Sequence, residues 1–120
     1  LEARNENSRI EIGDNVSINN SFTVVAFSKI VIGNNVLIGV NCSIMDNDSH
    51  HLAINKRNQI DNSKEVIIKD NVFLGSNVTI LKGVMIGENT VIGNGSVVTK
   101  SIPANVIAAG NPARVIKELL

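Results

Sequence analysis

Aromatic residues are almost missing from this sequence, which has no tryptophan, no tyrosine and only three phenylalanines. A core without large rings must be assembled from many small branched side chains, which suits β-structure better than a helical bundle. Cysteine is nearly missing as well. A lone Cys42 cannot form an internal disulfide, so a reducing, cytoplasmic setting is the simplest expectation. Neither sign of charge prevails: 11 Lys and Arg face 11 Asp and Glu, leaving no net field to draw in nucleic acid or an anionic membrane. No apolar run approaches the roughly 18 residues of a membrane-spanning helix, and no signal peptide is visible. The first residue is Leu1 rather than Met, which leaves open whether residues precede it. These absences point to a small molecule as partner.

What the sequence does have is a repeat. A length of 120 residues argues for one domain, and its 43% hydrophobic content is dominated by Ile, Val and Leu. From Ile12 a branched aliphatic residue returns every six positions, at Ile18 and Val24, and after two extra residues at Ile32, Ile38 and Ile44. The same phase runs through Ile68, Leu74, Ile80, Ile86, Ile92 and Val98. Ile, Leu and Val fill roughly a third of the chain, so meeting all these positions by chance has odds on the order of one in a million. The next residue is often Gly, as at Gly13, Gly33, Gly39, Gly75, Gly87 and Gly93. The fourth after is small or β-branched: Val16, Val36, Cys42, Val72, Val78, Val84, Thr90 and Ser96. A period of six fits no amphipathic helix. It fits a short strand and a turn, repeated, with the first and fifth residues pointing inward and Asn, Asp and Gly making the corner.

Units such as IGDNVS (12–17), IGNNVL (32–37), LGSNVT (74–79) and IGENTV (86–91) resemble those of the hexapeptide-repeat acyltransferases, over about residues 10 to 117. SVVTKSIPANVIAAGNPARVIK (96–117) is similar to the sugar and xenobiotic O-acetyltransferase branch, which includes the maltose and galactoside enzymes. The resemblance implies an all-β fold, a left-handed parallel β-helix, an exception to the usual right-handed crossover. Three hexads per coil give four coils, 12–31, 32–49, 68–85 and 86–103, stacked at about 4.8 Å. The expected organisation is a β-helix over 1–103 and a turn with a short capping helix over 104–120. So small a core is expected to gain from association, and the resemblance implies a homotrimer with active sites between subunits. Continuing the period past Ile44 would bury His50, Lys56 and Asn62, which a solenoid core cannot do without partners. Residues 50–65 are therefore expected to leave the prism as a loop, and loops of that length are usually functional or disordered.

The chain's two histidines, His50 and His51, stand where this loop begins. Imidazole is a base whose ordinary pKa lies near working pH. The resemblance of IMDNDSHH (44–51) implies that one of them takes the proton from an acceptor hydroxyl as it attacks a thioester; His50 is the first choice and His51 the second. Asp48 is a candidate to orient that imidazole, and Asp46 is assigned to the acceptor site. Cys42, at an inward position, is expected to be core filler rather than a nucleophile. For acetyl coenzyme A, the resemblance points to the backbone amides of Gly75 and Ser76 beside the pantetheine, one of them polarising the thioester oxygen. It also points to Lys100, Arg114 and Lys117 at the phosphates. Phe73 stands where the family often has Trp. Asn19, with Asn20 beside it, matches an acceptor-binding position, and Lys56 and Arg57 on the loop are further candidates.

The leading expectation is transfer of an acetyl group from acetyl-CoA to a sugar hydroxyl, in a polysaccharide, a lipopolysaccharide or a small saccharide. N-acetylation of an amino sugar, free or nucleotide-linked, is the enzymatic alternative. A zinc-dependent carbonic anhydrase of similar architecture would need three histidines, more than the sequence has, so no metal is expected. A non-catalytic structural solenoid is the remaining alternative.

Overall fold

A computed structural model describes residues 1–4, 7–48, 52–59 and 63–120. After a short β1 (Glu2–Ala3), the chain winds through four complete coils of three strands each. The first is β2 (Arg9–Ile12), β3 (Ser17–Ile18) and β4 (Thr23–Ala26); the second is β5 (Lys29–Ile32), β6 (Leu37–Ile38) and β7 (Ser43–Met45). The third is β8 (Val66–Ile68), β9 (Phe73–Leu74) and β10 (Thr79–Ile80); the fourth is β11 (Met85–Ile86), β12 (Val91–Ile92) and β13 (Val97–Val98). The strands β14 (Val106–Gly110) and β15 (Ala113–Glu118) complete the chain.

Every third strand pairs with the next in parallel, which makes a three-faced prism. Face A is β1-β4-β7-β10-β13, face B is β2-β5-β8-β11, and face C runs β3-β6-β9-β12-β14-β15. The six-residue period becomes columns of stacked side chains. Ile12, Ile32, Ile68 and Ile86 are in register on face B, with Ile102 bridged to Ile86. Val24, Ile44, Ile80 and Val98 align on face A, and Ile18, Ile38, Leu74, Ile92 and Ala108 on face C. From Val24 onward the inward residues are buried, whereas Ile12 and Ile18 remain 39% and 41% exposed at the first coil. Parallel ladders with both ends of each residue paired, filled by branched aliphatics, are how a core without aromatic rings closes.

The corners explain the asparagines. Asn15, Asn35, Asn71, Asn89 and Asn105 share one corner and one backbone state, with φ between 56° and 64°. Left-handed backbone costs an ordinary L-residue about 1–2 kcal/mol, and Asn is one of the few side chains that accept it. The stacked amides also bond to one another: Asn71 Nδ2 donates to Asn89 Oδ1 at 2.9 Å, and Asn89 Nδ2 to Asn105 Oδ1 at 2.7 Å.

Two expectations need correction. The solenoid has about five turns rather than four, because β1 adds to face A at one end, and Ile102 and β14 extend faces B and C at the other. The expected C-terminal capping helix is instead β15, antiparallel to β14. Gly110, at φ 109°, turns the chain back, and the returning strand pairs with the N–H and C=O groups that β14 would otherwise leave as a free edge. The β-branched Val115 and Ile116 suit that role better than a helix. Between β7 and β8 the described residues of the segment 50–65 form no strand and make one 3-10 turn at Ile54–Lys56. Among the described residues no helix is long and apolar enough to cross a membrane.

Candidate active site

The loop replaces one corner, between faces A and B of the second coil, and its stem is tightly bonded. His50 and His51 lie outside the described residues. Asp46, at the exit, is fully buried. Its Oδ1 accepts the Phe27 N–H at 2.8 Å and its Oδ2 the Ser28 N–H at 2.7 Å, and Asn47 Nδ2 donates to Oδ1 at 3.0 Å. A carboxylate so enclosed closes the corner of the coil below, with both oxygens engaged by protein donors. Asp48 sits farther out, with Oδ2 2.7 Å from Lys82 Nζ. On the return arm, Lys64 N–H donates to the Asp46 carbonyl at 2.8 Å, and Gly83 N–H to the Lys64 carbonyl at 3.2 Å.

Gly75 and Ser76 occupy a different edge, the corner between faces C and A in the third coil. Gly75 N–H donates to Ile92 O at 2.8 Å, and Ser76 N–H to Asn94 Oδ1 at 2.8 Å. Both amides already have acceptors within the prism. The reason is a ladder that the local sequence hides: the side chain one coil on accepts the corner N–H, as Asn34 does for Asp14 and Asp70 for Asn34. Gly75 is required for this stacking, since a Cβ there would lie 2.3 Å from Asn94 Oδ1. What remains to Ser76 is its hydroxyl, whose oxygen already accepts the Val40 N–H at 3.3 Å and whose proton can be given outward.

Asn19 and Asn20 lie on the same edge as Ser76, two coils earlier. Asn19 Nδ2 donates to Ile38 O at 3.0 Å, and Asn20 O accepts the Asn41 N–H at 2.9 Å. Between this edge and the loop runs the outer side of face A, where Thr23, Ser43 and Thr79 stand in register as a row of hydroxyls. Sequence reasoning missed that row, although the position before each inward aliphatic carries it.

The basic residues divide into two places. Lys100 is exposed just beyond β13 on face A. Arg114 and Lys117 are exposed on β15, and the register shift between Ile107 and Ala108 sets them opposite Ala109 and Ile107. Those two partners belong to one side of β14, so the irregularity brings both cations to the same outer side of face C. Phe73 lies on that side too, 45% exposed, in line with Leu37, Val91 and Ile107. Cys42 is buried and donates to Gly75 O at 3.0 Å. Burial pushes its thiol pKa up, partly offset by the N–H groups of Val78, Gly39 and Asn77. It is a core residue, unsuited to nucleophilic work at neutral pH. A concavity of about 440 Å³ lined by Lys69, Met85, Glu88 and residues 101–104 contains none of the residues above. Among the described residues no three His, Cys, Asp or Glu side chains converge as metal ligands would.

The fold has counterparts among known proteins. The family model described as bacterial transferase hexapeptide (six repeats) matches residues 65–100, and that of the hexapeptide repeat of succinyl-transferase matches residues 29–45. The galactoside O-acetyltransferase of Escherichia coli K12 is 46% identical over 93% of this chain and 55% of its own length. The maltose O-acetyltransferase structure from Clostridium difficile is 38% identical, with a TM-score of 0.72 over 93% of this chain and 67% of that one. A hexapeptide-repeat acetyltransferase of Vibrio cholerae, solved with acetyl coenzyme A, is 34% identical with a TM-score of 0.87, over 96% of this chain and 62% of that one. The chain belongs to the hexapeptide-repeat acyltransferases, and its fold is their left-handed parallel β-helix. It spans a little over half the length of curated relatives that it matches.

Proposed function

We propose that this chain is an acetyl-CoA-dependent O-acetyltransferase acting on a sugar hydroxyl. One observation carries the reading: the longest break in the hexad spacing, between β7 and β8, holds both histidines in its sequence, in a chain that is 46% identical to a galactoside O-acetyltransferase.

In this reading the His50 imidazole, with His51 as the alternative, removes the proton of the acceptor hydroxyl as that oxygen attacks the thioester carbonyl. A carbon–oxygen bond forms and a tetrahedral oxyanion develops. As the intermediate collapses, the carbon–sulfur bond breaks, and the imidazolium returns its proton to the departing thiolate sulfur. Acetyl ester and coenzyme A thiol leave, and the base is regenerated. Asp48 orients the loop imidazole. Ser76 stabilises the oxyanion with its hydroxyl rather than its amide, because Asn94 holds the amide. Gly75 gives the pantetheine arm a flat corner to cross. Lys100, Arg114 and Lys117 pair with the coenzyme phosphates. Asn19 and Asn20 hold the sugar, helped by the hydroxyl row Thr23, Ser43 and Thr79.

The site is completed between copies of a homotrimer. Lys100 and the Arg114–Lys117 pair lie on different faces of one prism, so two copies can bring them to one coenzyme. The apolar row Leu37, Phe73, Val91 and Ile107 on face C gives the copies a surface to share. The one thiol is reduced and buried, which suits the cytoplasm. The test is coenzyme A thiol release from acetyl-CoA across a panel of galactosides, glucosides, oligosaccharides and amino sugars. Release that depends on a hydroxyl acceptor is expected; no release above the acceptor-free rate would overturn the reading.

A further inference from the structure

The corner Lys82–Gly83 touches both arms of the loop. Lys82 Nζ lies 2.7 Å from Asp48 Oδ2 on the exit arm, a buried oxygen with no hydrogen bond among the described residues, whose charge this ammonium balances, and Gly83 N–H bonds the Lys64 carbonyl on the return arm at 3.2 Å. Lys64 N–H closes the stem on the Asp46 carbonyl. The ion pair differs from the chain's surface pairs. The side chains of Lys82 and Asp48 are 26% and 23% exposed, whereas Arg9 and Glu11 meet at 3.9 Å with 69% and 49% exposed. Exposed pairs contribute little order, while a pair largely withdrawn from water holds its geometry against side-chain motion. Asp48 stands two residues before His50, so whatever fixes Asp48 limits where the histidine segment can go.

We infer that Lys82 is a positioning residue that clasps the stem of the histidine loop through Asp48, setting the base against the acceptor without touching substrate itself. This rests on the acetyltransferase reading above. Lys82 belongs to the third coil and lies 34 residues beyond Asp48, so the pair ties the loop to a part of the prism that the loop's own sequence does not fix. Misplacing a reacting group by an ångström costs about a hundredfold in rate. Losing the clasp should therefore act on turnover and leave coenzyme binding alone.

The test is Lys82→Met beside Lys82→Arg, and Asp48→Asn in the wild-type and Lys82→Met backgrounds. The expected result for Lys82→Met is a kcat lower by at least about tenfold, with KM for acetyl-CoA and the melting temperature as in the wild type. Lys82→Arg should recover most of the loss, and Asp48→Asn should cost less in the Lys82→Met background than in the wild type, where it removes the clasp as well as the imidazole's partner. Wild-type turnover in Lys82→Met, or a loss matched by a fall in melting temperature, would overturn the inference. A second readout separates this failure from that of the function. Hydrogen exchange at the Lys64 amide should accelerate in Lys82→Met while the Asn89 amide stays protected. If the wild-type chain acetylates no sugar but that exchange accelerates, the function falls and the clasp stands; unchanged exchange rejects the clasp.

Discussion

Asp46 holds Ser28 in place: its Oδ2 accepts the Ser28 N–H at 2.7 Å across 18 residues of sequence, while Oδ1 takes the Phe27 N–H. The first coil has two more residues than the hexad rule allows, and this carboxylate closes the corner where the extra length falls. Asp46→Ala would leave two amides and a buried cavity without partners. Unfolding free energy should drop by about 3 kcal/mol, read from denaturant midpoints, while the folded fraction keeps its turnover per molecule. A specific loss of turnover with unchanged stability would return Asp46 to the acceptor site.

His50→Ala should keep the melting temperature and the shift that acetyl-CoA induces in it, and lose about two decades or more of turnover, the range a placed general base supplies. His51→Ala should lose much less. If the two effects are reversed, the base is His51; if neither variant is impaired, the loop histidines have no part in the chemistry.

The corner asparagines can be tested by substitution at Asn89, which has φ 64° and bonds to Asn71 and Asn105. Stability should fall in the order Asn, Gly, Ala. Ala carries the left-handed penalty of about 1–2 kcal/mol, and Gly loses the ladder but escapes that penalty. An alanine variant as stable as the glycine one would mean that backbone state does not select asparagine here.

Much of the fold was legible because its period is local. Ile68, Leu74, Ile80 and Ile86 announce themselves by spacing, and each is buried in its column. What the sequence hid are pairings between coils. Nothing near Asp46 names Phe27 and Ser28, nothing near Ser76 shows that Asn94 takes its amide, and nothing near Asp48 names Lys82. The C-terminal segment misled for another reason. Residues 113–118 have apolar and basic side chains at spacings that serve a helix equally well, and the free edge of β14 decides for a strand.

Cys42 gives the alkaline prediction. Burial raises its thiol pKa in the folded chain, so the folded state resists ionisation that the unfolded chain undergoes freely. The stability tied to this difference is complete below the unfolded thiol's pKa and is lost as pH rises from there through the folded value. Denaturant midpoints should therefore fall more steeply above about pH 9 for the wild type than for Cys42→Ser, which keeps a donor toward Gly75 O. Parallel pH profiles would refute this. The thiol should also resist thiol reagents until the chain unfolds.

The bond made in the product tests the central claim most directly. Incubated with acetyl-CoA and a galactoside, the chain should yield an acetyl ester on a sugar oxygen, cleaved by mild alkali and seen by mass and NMR as one acetyl group on a hydroxyl carbon. Acetylation confined to amino sugars, as an alkali-stable amide, would contradict the account.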